Sequence, residues 1–217
     1  MNHFITYGNY KYKRQKDALI LSAKRSDWFD TVTAYGPCDL DDNFTSKFKH
    51  VLEEQHGGGY WIWKPYIISK KLNEINDNDV LIYLDADVVC IKNPIPYFNS
   101  KIKTMIKNDY TISAKNEQGM PEIDERTINL GINSGRYFNA GVMVINYSKW
   151  MNEKIKAKSI EIIQEKNEKL VLWDQDVLNI IFDGVFEEID KEFNYRMDIL
   201  NFSNKEISSI ENDVYLI

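Results

Sequence analysis

The chain has 217 residues, of which 43% are hydrophobic and 13% aromatic, so it can bury a substantial core and is expected to form one domain. This composition excludes an intrinsically disordered class. The 27 Lys and Arg residues against 33 Asp and Glu residues give a net charge of −6, and the basic residues are scattered, which argues against nucleic acid as a partner.

Cysteine content and hydropathy bear on the compartment. Cys38 and Cys90 are the two cysteines, and neither lies in a C-x-x-C or a cysteine–histidine cluster, so a disulfide scaffold and a structural zinc site are not expected. The first residues lack the apolar segment of a signal peptide, and no stretch approaches the roughly 18 apolar residues of a membrane span. The sequence therefore predicts a soluble cytoplasmic protein without a transmembrane segment, free in that compartment or peripheral to a membrane.

The first predicted elements form a strand–helix–strand unit, over residues 3–8, 13–26 and 31–35. Such a unit is right-handed and places its strands in parallel. The carboxyl end of its first strand, at Thr6, Tyr7 and Gly8, is then expected at the sheet edge where ligands bind.

The next region is predicted to be helical over residues 43–55 and again from Pro65 onward, since proline suits the first turn of a helix. The glycines at 57–59 between them are interpreted first as a flexible joint, with a phosphate-binding nest as the alternative. Trp61 and Trp63 are candidates for stacking on sugar rings, although we expect one of them in the core.

Residues 80–90, VLIYLDADVVC, carry two carboxylates out of an apolar run. In an extended chain Asp85 and Asp87 lie on the same face. Because uncompensated burial of such a pair is costly, we expect them in a crevice where a hard cation such as Mg²⁺ or Mn²⁺ meets them. The alternative is that both residues only end the strand, since Asp is common in turns.

The second half of the chain contains several further predicted elements. Pro94 and Pro96 are expected to prevent a long regular element after Cys90. The polar stretch 115–136 is interpreted as a lid or as structure that the pattern does not reveal. The strands are predicted at 110–114, 137–146, 185–189 and 214–217, and the helices at 149–167 and 174–182.

Three segments together resemble the retaining glycosyltransferases of family 8, which include bacterial lipopolysaccharide galactosyltransferases and glycogenin. They are YLDADV around Asp85 and Asp87, FNAGVMVIN over residues 138–146, and WDQDVLN over residues 173–179. The resemblance extends more weakly to the first strand. It implies an α/β GT-A fold, Rossmann-like with a mixed sheet flanked by helices, in a single domain over residues 1–217.

The resemblance also implies a UDP-sugar donor, a saccharide or glycoconjugate acceptor, a Mn²⁺ or Mg²⁺ ion, and transfer with retention at the anomeric carbon. Asp85 and Asp87 correspond to the metal-binding pair. A metal ion there meets a plain physical need, because it stabilises the negative charge that gathers on the leaving diphosphate. The donor-binding candidates are Thr6, Tyr7, Tyr12, Lys64, Asp85, Ala86, Asn139, Ala140 and Gly141.

Asp174 and Gln175 correspond to the family residues beneath the transferred sugar and are the catalytic candidates. Asp174 also suits the N-cap of the helix that follows, and the two roles are compatible. In the family Gln175 is discussed as a nucleophile or as a stabiliser of the reacting centre. Because an amide is a weak nucleophile, a front-side mechanism assisted by the diphosphate stays open beside it.

One family feature has no match in this sequence, which ends at Ile217. Family members carry a further histidine in an H-x-x-G-x-x-K-P-W-like stretch that follows a strand similar to residues 213–217. We expect either a chain truncated before that motif or a protein without it, and in both cases weakened metal and donor binding. The alternative functions are a nucleotide-sugar or glycan-binding protein without turnover, and a nucleotidyltransferase.

Overall fold

A computed structural model describes residues 1–53, 61–117, 121–166, 169–195 and 215–216 of the chain, with no side chains described for 121–124. Within these residues one mixed sheet has the strand order β2-β1-β3-β5-β4-β6. β5 runs antiparallel to both of its neighbours, and the other pairings are parallel. The strands are β1 (Asn2–Tyr7), β2 (Thr31–Tyr35), β3 (Val80–Leu84), β4 (Ile112–Asn116), β5 (Phe138–Ile145) and β6 (Glu187–Glu188).

Helices cover both faces of the sheet. In the described part of the chain they are α1 (Lys13–Ser26), α2 (Asp42–Lys47), α3 (Lys49–Leu52), α4 (Trp63–Leu72), α5 (Ile95–Lys107), α6 (Pro121–Leu130), α7 (Tyr147–Asn152), α8 (Ile155–Lys166) and α9 (Asp174–Phe182). Apolar side chains of α1 and α5 pack with alternate residues of β1 and β3, such as Phe4 and Ile82. Those of α4, α8 and α9 pack with the intervening residues, such as Ile5 and Leu81, because strand side chains alternate between faces.

The strand register brings the ends of β1 and β3 to one edge. Ile5 of β1 is paired with Tyr83 of β3 in parallel register. Tyr7, at the end of β1, and Asp85, directly after β3, therefore lie at the same edge and line one cleft, as the βαβ interpretation predicts. The carboxyl ends of parallel strands are where open α/β sheets bind ligands.

Several predicted elements agree with the structure. The helices predicted over residues 13–26 and 174–182 match α1 and α9 in full, and the strand predicted over residues 31–35 matches β2. Pro65 lies in the first turn of α4.

The prediction that Pro94 and Pro96 prevent a long regular element is wrong. The 13-residue helix α5 begins directly after Pro94 and has Pro96 in its first turn. Proline is tolerated there because the first N–H groups of a helix have no partner within the helix. Helix α5 then buries Phe98 and Met105 against the sheet.

Two helices predicted as single elements are divided. The helix predicted over residues 43–55 is α2 and α3, separated at Phe48, and its last two residues lie outside the described part of the chain. The helix predicted over 149–167 is α7 and α8, which are separated by Glu153 and by Lys154 with a φ of 54°. A left-handed residue ends a helix, and this conformation carries no distinct signal in a lysine.

The remaining differences concern the second half of the chain. The stretch 115–136 contains α6, and the strand predicted over 110–114 begins and ends two residues later, as β4. The strand predicted over 185–189 is limited to β6. Leu216 forms an isolated bridge with Cys90, whereas residues 214 and 217, like the glycines at 57–59, lie outside the described residues. None of the described helices combines the length and apolarity that a bilayer crossing requires.

Candidate active site

A cleft opens at the sheet edge where β1 and β3 end and where α4 and α9 begin. Its described lining residues are Tyr7, Gly8, Asn9, Tyr12, Trp61, Trp63, Lys64, Asp85, Ala86, Asp87, Leu172, Asp174 and Gln175. Eight of these were predicted as site residues from the sequence. They come from four segments that lie up to 168 positions apart, so the fold itself assembles the cleft.

Asp85, Ala86 and Asp87 form the D-A-D segment, and its two aspartates lie in a turn after β3. The strand ends at Leu84, and the N–H of Val88 donates to the Asp85 carbonyl at 3.1 Å. The chain is therefore not extended over the whole of residues 80–90, which was the condition for Asp85 and Asp87 to share a face. The Asp85 carboxylate accepts a hydrogen bond from the Tyr83 hydroxyl, and burial followed by the charge of Asp85 raises the Tyr83 pKa well above its usual value.

The D-A-D pair has the chemistry of a divalent-cation site. Asp87 is exposed at the mouth of the cleft, and desolvation by the surrounding protein, followed by the Asp85 charge, raises its pKa. In the described residues no third His, Cys, Asp or Glu converges on the pair. Two carboxylates nevertheless fit Mg²⁺ or Mn²⁺, which commonly fill their other positions with water and substrate phosphates.

Lys64 forms the floor of the cleft and pairs with two carboxylates. Its Nζ lies 2.6 Å from Asp174 Oδ2 and 3.2 Å from Asp85 Oδ1, and its side chain is 2% exposed. Burial lowers the pKa of Lys64, but Asp174 and Asp85 raise it by more, so the ammonium group stays charged. Burial raises the pKa of Asp174 to about 6, against the opposing effect of Lys64.

The predicted N-cap role of Asp174 is wrong. The cap position is held by Trp173, at a φ of 38°, and Asp174 is the first helical residue of α9. Its carboxylate forms an ion pair with Lys64 at 2.6 Å. The residue therefore belongs to the electrostatics of the cleft.

The Asn139–Ala140–Gly141 segment lies behind the cleft as the start of β5. The Asn139 amide donates to Glu117 Oε1 at 3.3 Å, and its oxygen accepts from the Gly141 N–H and from Asn194 Nδ2, both at 2.9 Å. A Cβ atom on Gly141 would lie 2.9 Å from Asn139 Oδ1 and 3.2 Å from Asp85 Oδ2. Only glycine therefore fits between these two side chains without displacing one of them.

Two amide side chains join α9 to β5. Gln175 Oε1 accepts the Ala140 N–H at 2.9 Å. Asn179 Oδ1 accepts the Phe138 N–H at 2.8 Å, and its Nδ2 donates to the Phe138 carbonyl at 2.9 Å. The WDQDVLN segment is thus attached to the FNAG segment by hydrogen bonds on two successive turns of the helix.

Asp176 holds the loop before α9, which the sequence interpretation did not foresee. The fully buried carboxylate accepts the N–H groups of Val171 and Leu172, both at 2.8 Å, and it also accepts from the Tyr137 hydroxyl and from Arg126. The sequence around Asp176 shows only an acidic residue in the first turn of a helix, and nothing in it indicates these contacts. The same is true of Glu117, Asn179 and Asn194, whose partners are distant in sequence.

The other predicted donor-binding residues divide into two groups. Tyr7, Tyr12 and Ala86 line the cleft, and the Tyr7 ring stacks on Trp63 with 3.7 Å between centroids. Thr6 is fully buried in β1 and is not among the described lining residues. Trp63 is the tryptophan that lies in the core, while Trp61 is only partly buried.

Residues 68–217 match the model of the family described as Glycosyl transferase family 8. General stress protein A of Bacillus subtilis (strain 168) is 27% identical over 180 residues, which cover 79% of this chain and 58% of that protein. The lipopolysaccharide 1,2-glucosyltransferase of Escherichia coli is 35% identical over 107 residues, which cover 48% of this chain and 30% of that protein. The chain thus spans less than two thirds of the length of these curated relatives.

Among solved structures, the galactosyltransferase LgtC in complex with donor and acceptor sugar analogs is similar, with a TM-score of 0.63 and 19% identity. The likeness covers 99% of this chain and 85% of that one. At this identity the likeness concerns the fold. It confirms the predicted GT-A fold, with a mixed sheet flanked by helices in a single domain.

Proposed function

The chain belongs to glycosyl transferase family 8, and from this premise we propose that it is a glycosyltransferase that moves a hexose from a UDP-sugar to a saccharide or glycoconjugate acceptor, with retention of the anomeric configuration. One observation carries the proposal. The carboxylates of Asp85 and Asp87 share a single cleft with Asp174 and Gln175, and Gln175 is hydrogen-bonded to the Asn139–Gly141 segment. Three motifs that are separate in sequence thus converge on one place.

The donor is proposed to lie across the cleft with its diphosphate at Asp85 and Asp87. These two carboxylates would hold Mn²⁺ or Mg²⁺, which supplies a Lewis acid for the charge of the leaving diphosphate. Tyr7 and Tyr12 line the β1 side of the cleft, where the nucleoside would bind, and Tyr12 is the more exposed of the two because the Tyr7 ring is buried against Trp63. Because Ala86 sits in the turn between the two aspartates, its backbone is close to the same diphosphate.

Asp174 and Gln175 are proposed to act on the sugar. The Gln175 amide is partly exposed, and its oxygen keeps a second lone pair beside the one that accepts the Ala140 N–H. An amide oxygen and the negative charge of Asp174 both favour a carbon that becomes positive in an oxocarbenium-like transition state. We therefore assign them to stabilising that centre while the acceptor hydroxyl attacks on the face of the leaving diphosphate.

The test is calorimetric titration of UDP into the protein with Mn²⁺ and again with excess chelator, followed by a screen of UDP-sugars for released UDP. Metal-dependent binding together with turnover of one donor supports the transferase and names its sugar. Binding without turnover in the presence of a range of saccharide acceptors would instead favour a nucleotide-sugar-binding protein. No UDP binding would contradict the proposal and direct the search to other nucleotides.

A further inference from the structure

The ammonium group of Lys64 joins three separate segments of the chain. Its Nζ lies 2.6 Å from Asp174 Oδ2 on α9, 3.2 Å from Asp85 Oδ1 after β3, and 3.2 Å from the Ala140 carbonyl on β5. The ammonium donates hydrogen bonds to Asp85 Oδ2 at 3.4 Å and to the Ala140 carbonyl at 3.2 Å, and it forms an ion pair with Asp174 Oδ2. Its charge and two of its three N–H donors are therefore directed toward protein groups.

We propose that Lys64 is a positioning residue whose ammonium group is the resident counter-ion of the site, holding Asp85, Asp174 and Ala140 in place instead of binding the donor. This inference rests on the proposed function, because the groups that Lys64 holds are those assigned to the diphosphate and the sugar. It also gives Lys64 a role different from the donor contact that the family resemblance implies.

The residues around Lys64 restrict the orientation of its side chain. The preceding residue, Trp63, is buried and stacks on Tyr7 at 3.7 Å with 17° between the rings, so the start of α4 is anchored to the end of β1. The Lys64 ammonium lies 4.8 Å from the centre of the Tyr83 ring, and the Tyr83 hydroxyl in turn donates to Asp85. A side chain that is 2% exposed and enclosed in this way has little freedom to turn toward a ligand.

The electrostatics give the proposal a distinctive consequence. Asp174 is almost completely buried and Asp85 is about a third exposed, and both share the Lys64 charge. Removing that charge leaves two carboxylates without their cation, which is strongly destabilising for buried groups. A divalent cation at Asp85 and Asp87 would then relieve more repulsion than it does in the wild type, so it should stabilise the variant more.

The experiment compares Lys64→Met with the wild type by thermal unfolding, with Mn²⁺ and with chelator. We expect a lower Tm for Lys64→Met in chelator and a rise on adding Mn²⁺ that is at least about twice that of the wild type. In donor hydrolysis we expect kcat to fall by about tenfold or more while KM for the donor stays within about threefold. Lys71→Met is the matched control, since Lys71 is also a buried lysine of α4 but pairs with Glu74 outside the cleft, and it should show the wild-type Mn²⁺ response.

The opposite pattern would overturn the proposal. A Mn²⁺ response no larger than that of the wild type would contradict the counter-ion role, and a donor KM raised about tenfold or more with kcat kept would make Lys64 a donor contact. If Lys64→Met does not fold, Lys64→Arg keeps the charge, and the proposal then requires a wild-type Mn²⁺ response with a reduced kcat; any larger Mn²⁺ response contradicts it. The Mn²⁺ response needs no turnover, so failure of the proposed function, seen as absent UDP binding by the wild type, is distinguished from failure of this inference.

Discussion

Gln175 accepts the backbone N–H of Ala140 at 2.9 Å, and this hydrogen bond connects the first turn of α9 to the start of β5. The carbonyl of the same alanine accepts from Lys64 at 3.2 Å. Both backbone polar groups of a nearly buried residue are thus satisfied by side chains of the cleft. The position of Gln175 and the conformation of the Asn139–Gly141 segment therefore depend on each other.

Replacing Gln175 by alanine should affect both turnover and stability. The Ala140 N–H would lose its acceptor in a buried place, which costs roughly 1–3 kcal/mol of unfolding free energy. Donor hydrolysis should fall by about tenfold or more, because the amide oxygen beside the reacting centre is also lost. Thermal unfolding and released UDP measure the two effects, and Gln164→Ala, on the exposed side of α8, is the control. A wild-type rate for Gln175→Ala would contradict its placement at the reacting centre.

The predictions that agree with the structure depend on local signals. Helix α9 and the residues Asp174 and Gln175 could be predicted because an apolar periodicity and a motif coincide there. The end of β3 could not be predicted, because Val88, Val89 and Cys90 continue the apolar pattern although the chain turns at Asp85. A run of apolar residues indicates that the segment is buried, but a buried turn and a buried strand can have the same apolar pattern.

The contacts inside the site could not be predicted for a different reason. Lys64 was predicted as a site residue, yet its three partners depend on how α4 packs against β3, β5 and α9. Asn194 reaches Asn139 across 55 positions, and neither residue type indicates such a pair. These interactions follow from tertiary structure, and no spacing in the sequence encodes them.

Removing either carboxylate of the D-A-D segment should abolish metal-dependent turnover. For Asp85→Asn and Asp87→Asn we expect donor hydrolysis to fall by about 100-fold or more, since a Lewis acid contributes several kcal/mol to stabilising the leaving group. The fold should persist, because Asp87 is exposed and an asparagine at 85 keeps an acceptor oxygen for Tyr83 and Lys64. Asp77→Asn, at an exposed turn before β3, is the control. An unchanged rate in Mn²⁺-containing buffer would refute the assignment of metal ligands.

Replacing Gly141 by alanine should disturb the position of Asn139 or Asp85. Its Cβ would lie 2.9 Å from Asn139 Oδ1 and 3.2 Å from Asp85 Oδ2, so one of these side chains must move. We expect Gly141→Ala to lose about 1–3 kcal/mol of stability by overpacking and to weaken Mn²⁺ binding through Asp85. Gly36→Ala is the control, because the nearest atom to its Cβ would be at 3.5 Å. Calorimetry with Mn²⁺ and UDP measures the effect, and wild-type affinity would show that Asp85 has room to shift.

Replacing Asn179 by alanine should lower the free energy of unfolding, because the Asn179 side chain bonds both backbone groups of Phe138. Its amide satisfies both the N–H and the carbonyl of Phe138, and Asn179→Ala leaves both groups buried without these partners. We expect a loss of roughly 2–4 kcal/mol, from two unsatisfied groups, in urea unfolding. The exposed Asn152→Ala on α7 should change the unfolding free energy by less than about 0.5 kcal/mol. A small effect at Asn179 would mean that water replaces the amide.

The pH dependence of turnover and that of stability should have opposite signs at Asp174. Burial raises its pKa from 3.8 to about 6, so its carboxylate is charged only above about pH 6. If that charge stabilises the positive centre of the transition state, turnover at fixed Mn²⁺ should rise as the pH increases through about 6. A raised carboxyl pKa also means that the folded chain binds the proton more tightly than the unfolded chain does. The stability that protonation of Asp174 contributes is therefore fully present below pH 3.8 and is lost as the pH rises to about 6.

The variant Asp174→Asn separates this group from the other carboxylates. It keeps the shape of the side chain without a titrating proton, so the rise in donor hydrolysis near pH 6 should disappear and the rate should be low throughout. The difference in Tm between wild type and variant should change across pH 4 to 6, in favour of the variant at the higher pH, since an uncharged amide avoids the desolvation penalty of the ion. Asp77→Asn, at its exposed turn, should leave both profiles unchanged. If Asp174→Asn retains the rise in rate near pH 6, another group controls it, and the negative charge of Asp174 is not what turnover requires.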